Sequence, residues 1–158
     1  MKADPNTRIL EHLYKSFTGN LEEDDSLEVK LLMPKESGLE TPVLTTLHHG
    51  FGTTANLAEG AFFFEDDVFV ARVLLAPEVP AENLPALCVL ISLMNAELPA
   101  GTFCYDQFEN ALAYYLKTPI VDGLDEKERT ALCDRCTAIA LSLAAQNSGD
   151  LIRCAYGA

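Results

Sequence analysis

Residues 84–118 read LPALCVLISLMNAELPAGTFCYDQFENALAYYLKT, and this stretch decides the fold. Its apolar residues recur at intervals of three and four over 84–98, which predicts a helix with one buried stripe. That stripe consists of Leu84, Leu87, Cys88, Ile91, Met94 and Leu98. The residues Pro99, Ala100 and Gly101 then predict a tight turn into two short strands, at 103–106 and 112–117.

The same helix is apolar on its other sides, where Val89, Leu90 and Leu93 lie. A helix that is apolar nearly all round needs a second surface to pack against. In a chain of 158 residues, that surface can belong to another copy of the chain. We therefore expect a homodimer.

The chain before this stretch predicts one helix and several strands. Asp4 and Pro5 are typical of a helix start, and Gly19 is typical of a helix end. Apolar and β-branched runs then predict strands at 27–33, 43–49, 61–64 and 67–75, while residues 50–60 fit no element. The acidic run 21–25 and the segment 34–38 are predicted to be loops.

After the stretch, Asp122 and Asp125 are candidate caps for a last helix that runs to about residue 146. Its predicted stripe consists of Leu132, Cys136, Ile139, Ala140 and Leu143. The elements follow the order helix, three or four strands, helix, two strands, helix, and the shorter form is α-β-β-β-α-β-β-α. This order predicts an α+β fold for 1–158 as a single domain, with hairpins that build a twisted antiparallel sheet flanked by helices.

Composition narrows the classes of partner. The chain carries 24 acidic and 11 basic residues, a formal charge of -13, so its field repels nucleic acid and anionic lipid. Neither a signal peptide nor a long apolar run is recognisable, which predicts a cytoplasmic protein that does not enter the membrane. The odd number of five cysteines fits buried thiols in a reducing compartment better than a disulfide framework.

Three segments carry a family resemblance: LISLMNAELPAGTFCYD at 90–106, ALAYYLKTPI at 111–120 and LDEKERTAL at 124–132. Together they resemble the YbjN-type bacterial family, whose fold is related to that of the type III secretion chaperones. The resemblance implies a non-enzymatic, commonly dimeric fold. We expect no cofactor. In those chaperones, the dimer holds an extended segment of a client protein against apolar patches. No client-binding residue transfers to this chain by motif.

The sharpest apparent catalytic motif is Cys133-Asp134-Arg135-Cys136. It lies inside the predicted last helix among acidic residues, and acidic neighbours oppose thiolate formation. The pair His48 and His49 supplies the only obvious additional metal ligands, but adjacent strand residues point to opposite faces. We therefore predict no enzyme activity and no metal site, and keep a thiol redox or metal-binding module at Cys133 and Cys136 as the alternative.

The run 67–75 has two largely apolar faces, one with Val68, Val70, Arg72 and Leu74 and the other with Phe69, Ala71, Val73 and Leu75. One face covers the core, and the other is available to a partner or helix. We assign the protein-binding or dimer surface to Phe69, Val73 and Leu75, together with Leu90 and Leu93. The sequence thus predicts a non-catalytic, chaperone-like or regulatory homodimer that binds a protein segment on this surface.

Overall fold

The computed structural model describes residues 4–19, 26–38, 40–52 and 55–157. The helices of these ranges are α1 (Pro5–Thr18), α2 (Pro34–Ser37), α3 (Leu84–Glu97), α4 (Glu126–Asn147) and α5 (Gly149–Ala155). The strands are β1 (Leu27–Leu32), β2 (Val43–Phe51), β3 (Ala55–Glu65), β4 (Val68–Ala76), β5 (Thr102–Asp106) and β6 (Ala111–Pro119). A 3-10 turn, Ala81–Asn83, leads into α3. None of these helices combines the length and apolar character needed to span a bilayer.

The six strands form one antiparallel sheet in the order β1-β2-β3-β4-β6-β5. The predicted α+β fold is confirmed, but the order α-β-β-β-α-β-β-α is one strand short, because four strands precede α3. Strands were predicted at both 61–64 and 67–75, so the longer form of the order, with four strands before α3, is the correct one. β3 begins earlier than predicted, at Ala55, inside the segment that fitted no element. The small residues at its start have low β propensity, and pairing with β2 and β4 holds them in the sheet.

The helices cover one face of the sheet, which we call the covered face. The Phe17 ring of α1 lies 5.8 Å from the Phe62 ring of β3, and the Thr118 hydroxyl of β6 donates to Cys136 Sγ of α4 at 3.3 Å. The register places Phe62 opposite Leu44 and Ala71, so these side chains share that face.

We call the opposite face of the sheet the open face. It carries the strand residues that alternate with those of the covered face. The exposed charged residues and the exposed histidine of the described strands all lie there: Glu28, Lys30, His49, Glu59, Glu65 and Lys117. The two faces therefore differ in chemistry although both contain apolar residues.

The 84–118 stretch joins α3 to the edge strand β5 by a specific contact. The Asn95 amide donates to the Phe103 carbonyl at 2.9 Å, and the Phe103 N–H donates to Asn95 Oδ1 at 2.8 Å. Gly101 adopts a φ of 74°, and a Cβ there would overlap the Tyr114 side chain. Glycine at this turn lets the chain pass close to Tyr114 before β5 begins.

The predicted helix stripes are largely confirmed, with shifts of one position. In α3, Leu87 and Ile91 are buried and Leu84, Met94 and Leu98 pack against the core, but Cys88 is exposed. In α4 the buried residues are Cys133, Cys136, Thr137, Ala140 and Ala144, whereas Ile139 is 37% exposed. Of the two predicted candidate caps, Asp122 and Asp125, it is Asp125 that caps α4, in a capping box with Glu128.

Candidate functional site

The structure places Phe69, Val73 and Leu75 in the core. Phe69 and Val73 are 0% exposed and Leu75 is 3% exposed, because the register puts them on the covered face. Their assignment to a binding surface is therefore wrong. The strand has apolar residues on both faces, and the helices cover the face that lacks Arg72.

The outer side of α3 presents apolar residues. Val89 is 63% exposed and Leu93 is 64% exposed, while Ala86 and Ala96 are exposed at the same helical phase. We call these four residues the α3 patch. Leu90, predicted alongside Leu93, is half-buried and packs against the core. The outward side of α3 is thus apolar without a covering element in the described ranges.

A groove of about 280 Å³ crosses the open face. We call it the open-face groove; its lining includes Glu28, Lys30, Thr45, Leu47, Glu59, Ala61 and Arg72. The register aligns Arg72, Ala61, Thr45 and Lys30 in one row across four strands. Leu74, Glu59, Leu47 and Glu28 form the next row. Small Ala61 between long side chains leaves the depression at the centre of the sheet.

Arg72 lies on β4 beside Tyr115 and Asp106. Its Nε is buried and has no hydrogen-bond partner in the described part of the chain. Burial raises the pKa of the Tyr115 hydroxyl, while the positive charge of Arg72 opposes that rise. The Tyr115 hydroxyl donates to Asp106 Oδ2 at 3.2 Å, so the tyrosine and the aspartate are already partnered.

Asp106 also organises the hairpin between β5 and β6. Its Oδ1 accepts from the N–H groups of Phe108 at 3.0 Å and Glu109 at 3.1 Å. These amides, that of Glu109 foremost, lower the pKa of the Asp106 carboxyl. The turn holds Phe108 at the tip with 99% of its surface exposed. Sequence reasoning did not single out this residue, although an aromatic residue among polar turn residues was a detectable signal.

A mainly apolar hollow of about 170 Å³ lies beside the turn of this hairpin. Its lining is Leu57, Glu59, Leu74, Pro77, Glu109 and Ala111. Leu57 is 41% exposed, so the hollow and Phe108 offer exposed apolar surface at one end of the open face. We call Leu57, Leu74 and Phe108 the hairpin patch.

The cysteine motif of α4 lies in the core. Cys133 and Cys136 are 0% and 7% exposed, and burial, followed by the charges of Cys136 and Asp134, raises the pKa of the Cys133 thiol to about 12. A thiol of this kind is protonated at neutral pH and is a poor nucleophile.

Metal-ligand geometry is also missing around these cysteines. The two histidines lie on opposite faces, as predicted: His48 hydrogen-bonds Thr46 Oγ1 and His49 pairs with Glu28. Within the described ranges, no group of three or more His, Cys, Asp or Glu residues is placed to hold a metal ion.

Comparison with known proteins identifies the fold. No protein-family model matches the chain, and no curated protein matches its sequence. YbjN from E. coli, a candidate transcription regulator, superimposes with a TM-score of 0.54 and 8% identity, over 92% of this chain and 93% of YbjN. A chain of the ExsC–ExsE complex matches at a TM-score of 0.41 and 13% identity, over 95% and 97% of the two chains. The YbjN-like fold expected from the sequence resemblance is confirmed.

Proposed function

We propose that this chain acts as one domain, a non-catalytic, cytoplasmic homodimer with a chaperone-like or regulatory role, which binds a segment of another protein. The observation that carries the proposal is the α3 patch, with Val89 and Leu93 more than half exposed on a helix of largely apolar composition. Exposed apolar residues grouped on one side of an element are typical of protein contact sites.

In a two-fold symmetric dimer, both copies contribute the same surface to the interface, so the α3 patch of one copy would pack against the α3 patch of the other. Burying the exposed part of Val89 and Leu93 in both copies stabilises the dimer by roughly 4–7 kcal/mol. This gain is comparable with the lower estimates of the cost of association, about 4 kcal/mol. A dimer in the micromolar range needs a net gain of about 8 kcal/mol, so we propose that the interface extends beyond Val89 and Leu93 to the exposed Ala86 and Ala96 and to neighbouring surface of both copies.

Cysteine crosslinking tests this interface. Val89→Cys and Leu93→Cys, each made with Cys88→Ser to remove the neighbouring exposed thiol, are oxidised alone and as a mixture. Crosslinked dimer is expected from at least one of these samples at micromolar concentration. Ile139→Cys on α4, also exposed, is the control and should remain monomeric on a denaturing gel. Equal crosslinking of the control and the α3 variants would contradict the interface.

The hairpin patch is the proposed contact for the partner segment. Phe108 is almost fully exposed in a turn whose backbone N–H groups Asp106 accepts from, and the hollow beside this turn is mainly apolar. An aromatic residue beside such a hollow is the kind of side chain that dominates binding energy. Phe108→Ser should release a specific partner that wild-type protein captures from the native cell. Ile139→Ser is the matched control, and equal capture by Phe108→Ser and wild type would contradict this contact.

The absence of catalysis is part of the proposal. Its support is the state of Cys133, whose buried thiol has a pKa of about 12. No observation favours the thiol redox or metal-binding alternative.

A further inference from the structure

The open-face groove is lined by positively charged side chains, which are in the minority in this acidic protein. The chain carries a formal charge of -13, yet two cations, Lys30 and Arg72, line the groove. Glu28, one of its two acidic residues, is engaged by His49 at 2.9 Å. Among the described residues, Lys30, Arg72 and Glu59 have no ion-pair partner within 4 Å. Arg72 hydrogen-bonds the Tyr115 side chain and interacts with the charge of Asp106, so the groove offers one uncommitted cation, Lys30, one partly engaged cation, Arg72, and one uncommitted carboxylate, Glu59.

Arg72 also offers a hydrogen-bond donor that the fold leaves unused. Its Nε is buried without an acceptor, although buried polar groups in proteins are normally hydrogen-bonded. Nearby Asp106 is occupied by two backbone N–H groups and the Tyr115 hydroxyl. A ligand with two adjacent oxygens would satisfy the guanidinium in the bidentate manner that carboxylates allow.

The strand register determines which side chains lie next to Arg72, and so which of them the other groups of a ligand would contact. Glu59 is on β3, in the row next to that of Arg72, and is two residues from Ala61, which faces Arg72. A ligand ammonium beside its carboxylate would thus find an acidic partner within the same groove. Leu47 and Ala61 supply apolar wall, and the volume of about 280 Å³ accommodates a small molecule. The acidic groups on both sides of Arg72 disfavour a phosphate, which carries more negative charge than a carboxylate.

We infer that the open-face groove binds a small zwitterionic ligand of the α-amino-acid class with an aliphatic side chain. Its carboxylate pairs with Arg72 and its ammonium with Glu59. Lys30, at the far end of the Arg72 row, contributes positive potential that favours the carboxylate. The inference does not depend on dimerisation, since the groove and the α3 patch share no residue.

The test is an NMR titration of the full chain, in which the arginine Nε–H signals are observed directly. Arg72→Lys identifies the Arg72 signal by its loss. The probe is L-leucine, with two matched analogues: leucine methyl ester, which lacks the carboxylate charge, and 4-methylpentanoate, which lacks the ammonium. L-Leucine is expected to shift the Arg72 Nε–H signal in a saturable manner, and both analogues should bind about tenfold more weakly, the effect of one lost charge-assisted contact.

Two variants separate binding from folding. Glu59 is exposed, so Glu59→Gln should fold normally. It should weaken the binding of L-leucine by about tenfold and leave the binding of 4-methylpentanoate unchanged. Arg72→Gln should abolish binding of both, with its fold checked by circular dichroism. No saturable shift up to tens of millimolar L-leucine would overturn the inference. Tight binding of leucine methyl ester, or preference for inorganic phosphate over L-leucine, would also overturn it. Leu93→Glu, which breaks the proposed dimer, should still bind L-leucine.

Discussion

Replacing Asn95 by alanine should remove the contact that joins α3 to the edge strand β5. Asn95 makes two hydrogen bonds, of 2.8 and 2.9 Å, with the backbone of Phe103, whose side chain is 1% exposed. Each bond contributes about 0.5–1.5 kcal/mol, and stranding the Phe103 N–H and C=O away from water costs more. We therefore expect Asn95→Ala to lower the free energy of unfolding by about 2–4 kcal/mol.

Urea unfolding followed by circular dichroism measures this loss, which should lower the midpoint by roughly 1 M or more. Wild type and variants are compared at one protein concentration, because dimerisation would couple stability to concentration. Asn147→Ala is the control: Asn147 makes a single bond, to the Leu143 carbonyl of its own helix, so the expected loss is about 1 kcal/mol or less. Asn95→Asp keeps an acceptor for the Phe103 N–H but places a carboxylate oxygen against the Phe103 carbonyl, to which it cannot donate, so this variant should also be less stable than wild type. Equal losses for Asn95→Ala and Asn147→Ala would refute the reasoning.

Two further predictions concern the turn and the cysteines. Gly101→Ala should destabilise by about 2–4 kcal/mol, because the left-handed φ disfavours alanine and its Cβ would overlap Tyr114. Gly123→Ala, with a φ of 91° and open space around the Cβ, should lose only about 1–2 kcal/mol, and the reverse ranking in urea unfolding would contradict the packing argument. In thiol labelling with Ellman's reagent at pH 8, exposed Cys88 should react fast, whereas buried Cys133, with a pKa of about 12, should react only after unfolding. Fast native labelling that survives in Cys88→Ser and disappears in Cys133→Ser would revive a redox role.

Much of the fold follows from local patterns in the sequence. Helical spacing located α3 and α4, and alternation located β4 and β6, because each element buries one side of itself. The tight turn at Pro99, Ala100 and Gly101 was predicted from the sequence, and the structure adds the contacts that join helix to strand there, from Asn95 to Phe103 and from Gly101 to Tyr114.

The side of the sheet that binds helices could not be predicted in the same way. Both faces of β4 are largely apolar, so alternation alone does not say which one the helices cover. The answer depends on long-range register: Phe62 of β3 meets Phe17 of α1, and β3 and β4 pair so that Phe69 and Val73 share the side of Phe62. Arg72 was the residue that marked the open face, since a charged side chain in the centre of a sheet is rarely buried under helices.

The open-face groove depends still more on long-range contacts. Arg72, Glu59 and Lys30 are far apart in the sequence, and only the pairing of β1, β2, β3 and β4 brings them to one face. No local sequence motif predicts such a site. The cysteine motif of α4 shows the converse, because a recognisable sequence pattern lies where burial removes its chemistry.

Sedimentation velocity of wild type and Leu93→Glu at micromolar concentration tests the central claim most directly. Leu93 is 64% exposed in the α3 patch, so the substitution should leave the fold intact and place one charge from each copy in the interface. Ile139→Glu, on the exposed side of α4, is the matched control. A homodimer through α3 predicts that wild type and Ile139→Glu sediment as dimers and Leu93→Glu as a monomer. A monomeric wild type, or a Leu93→Glu variant that remains dimeric, would contradict it.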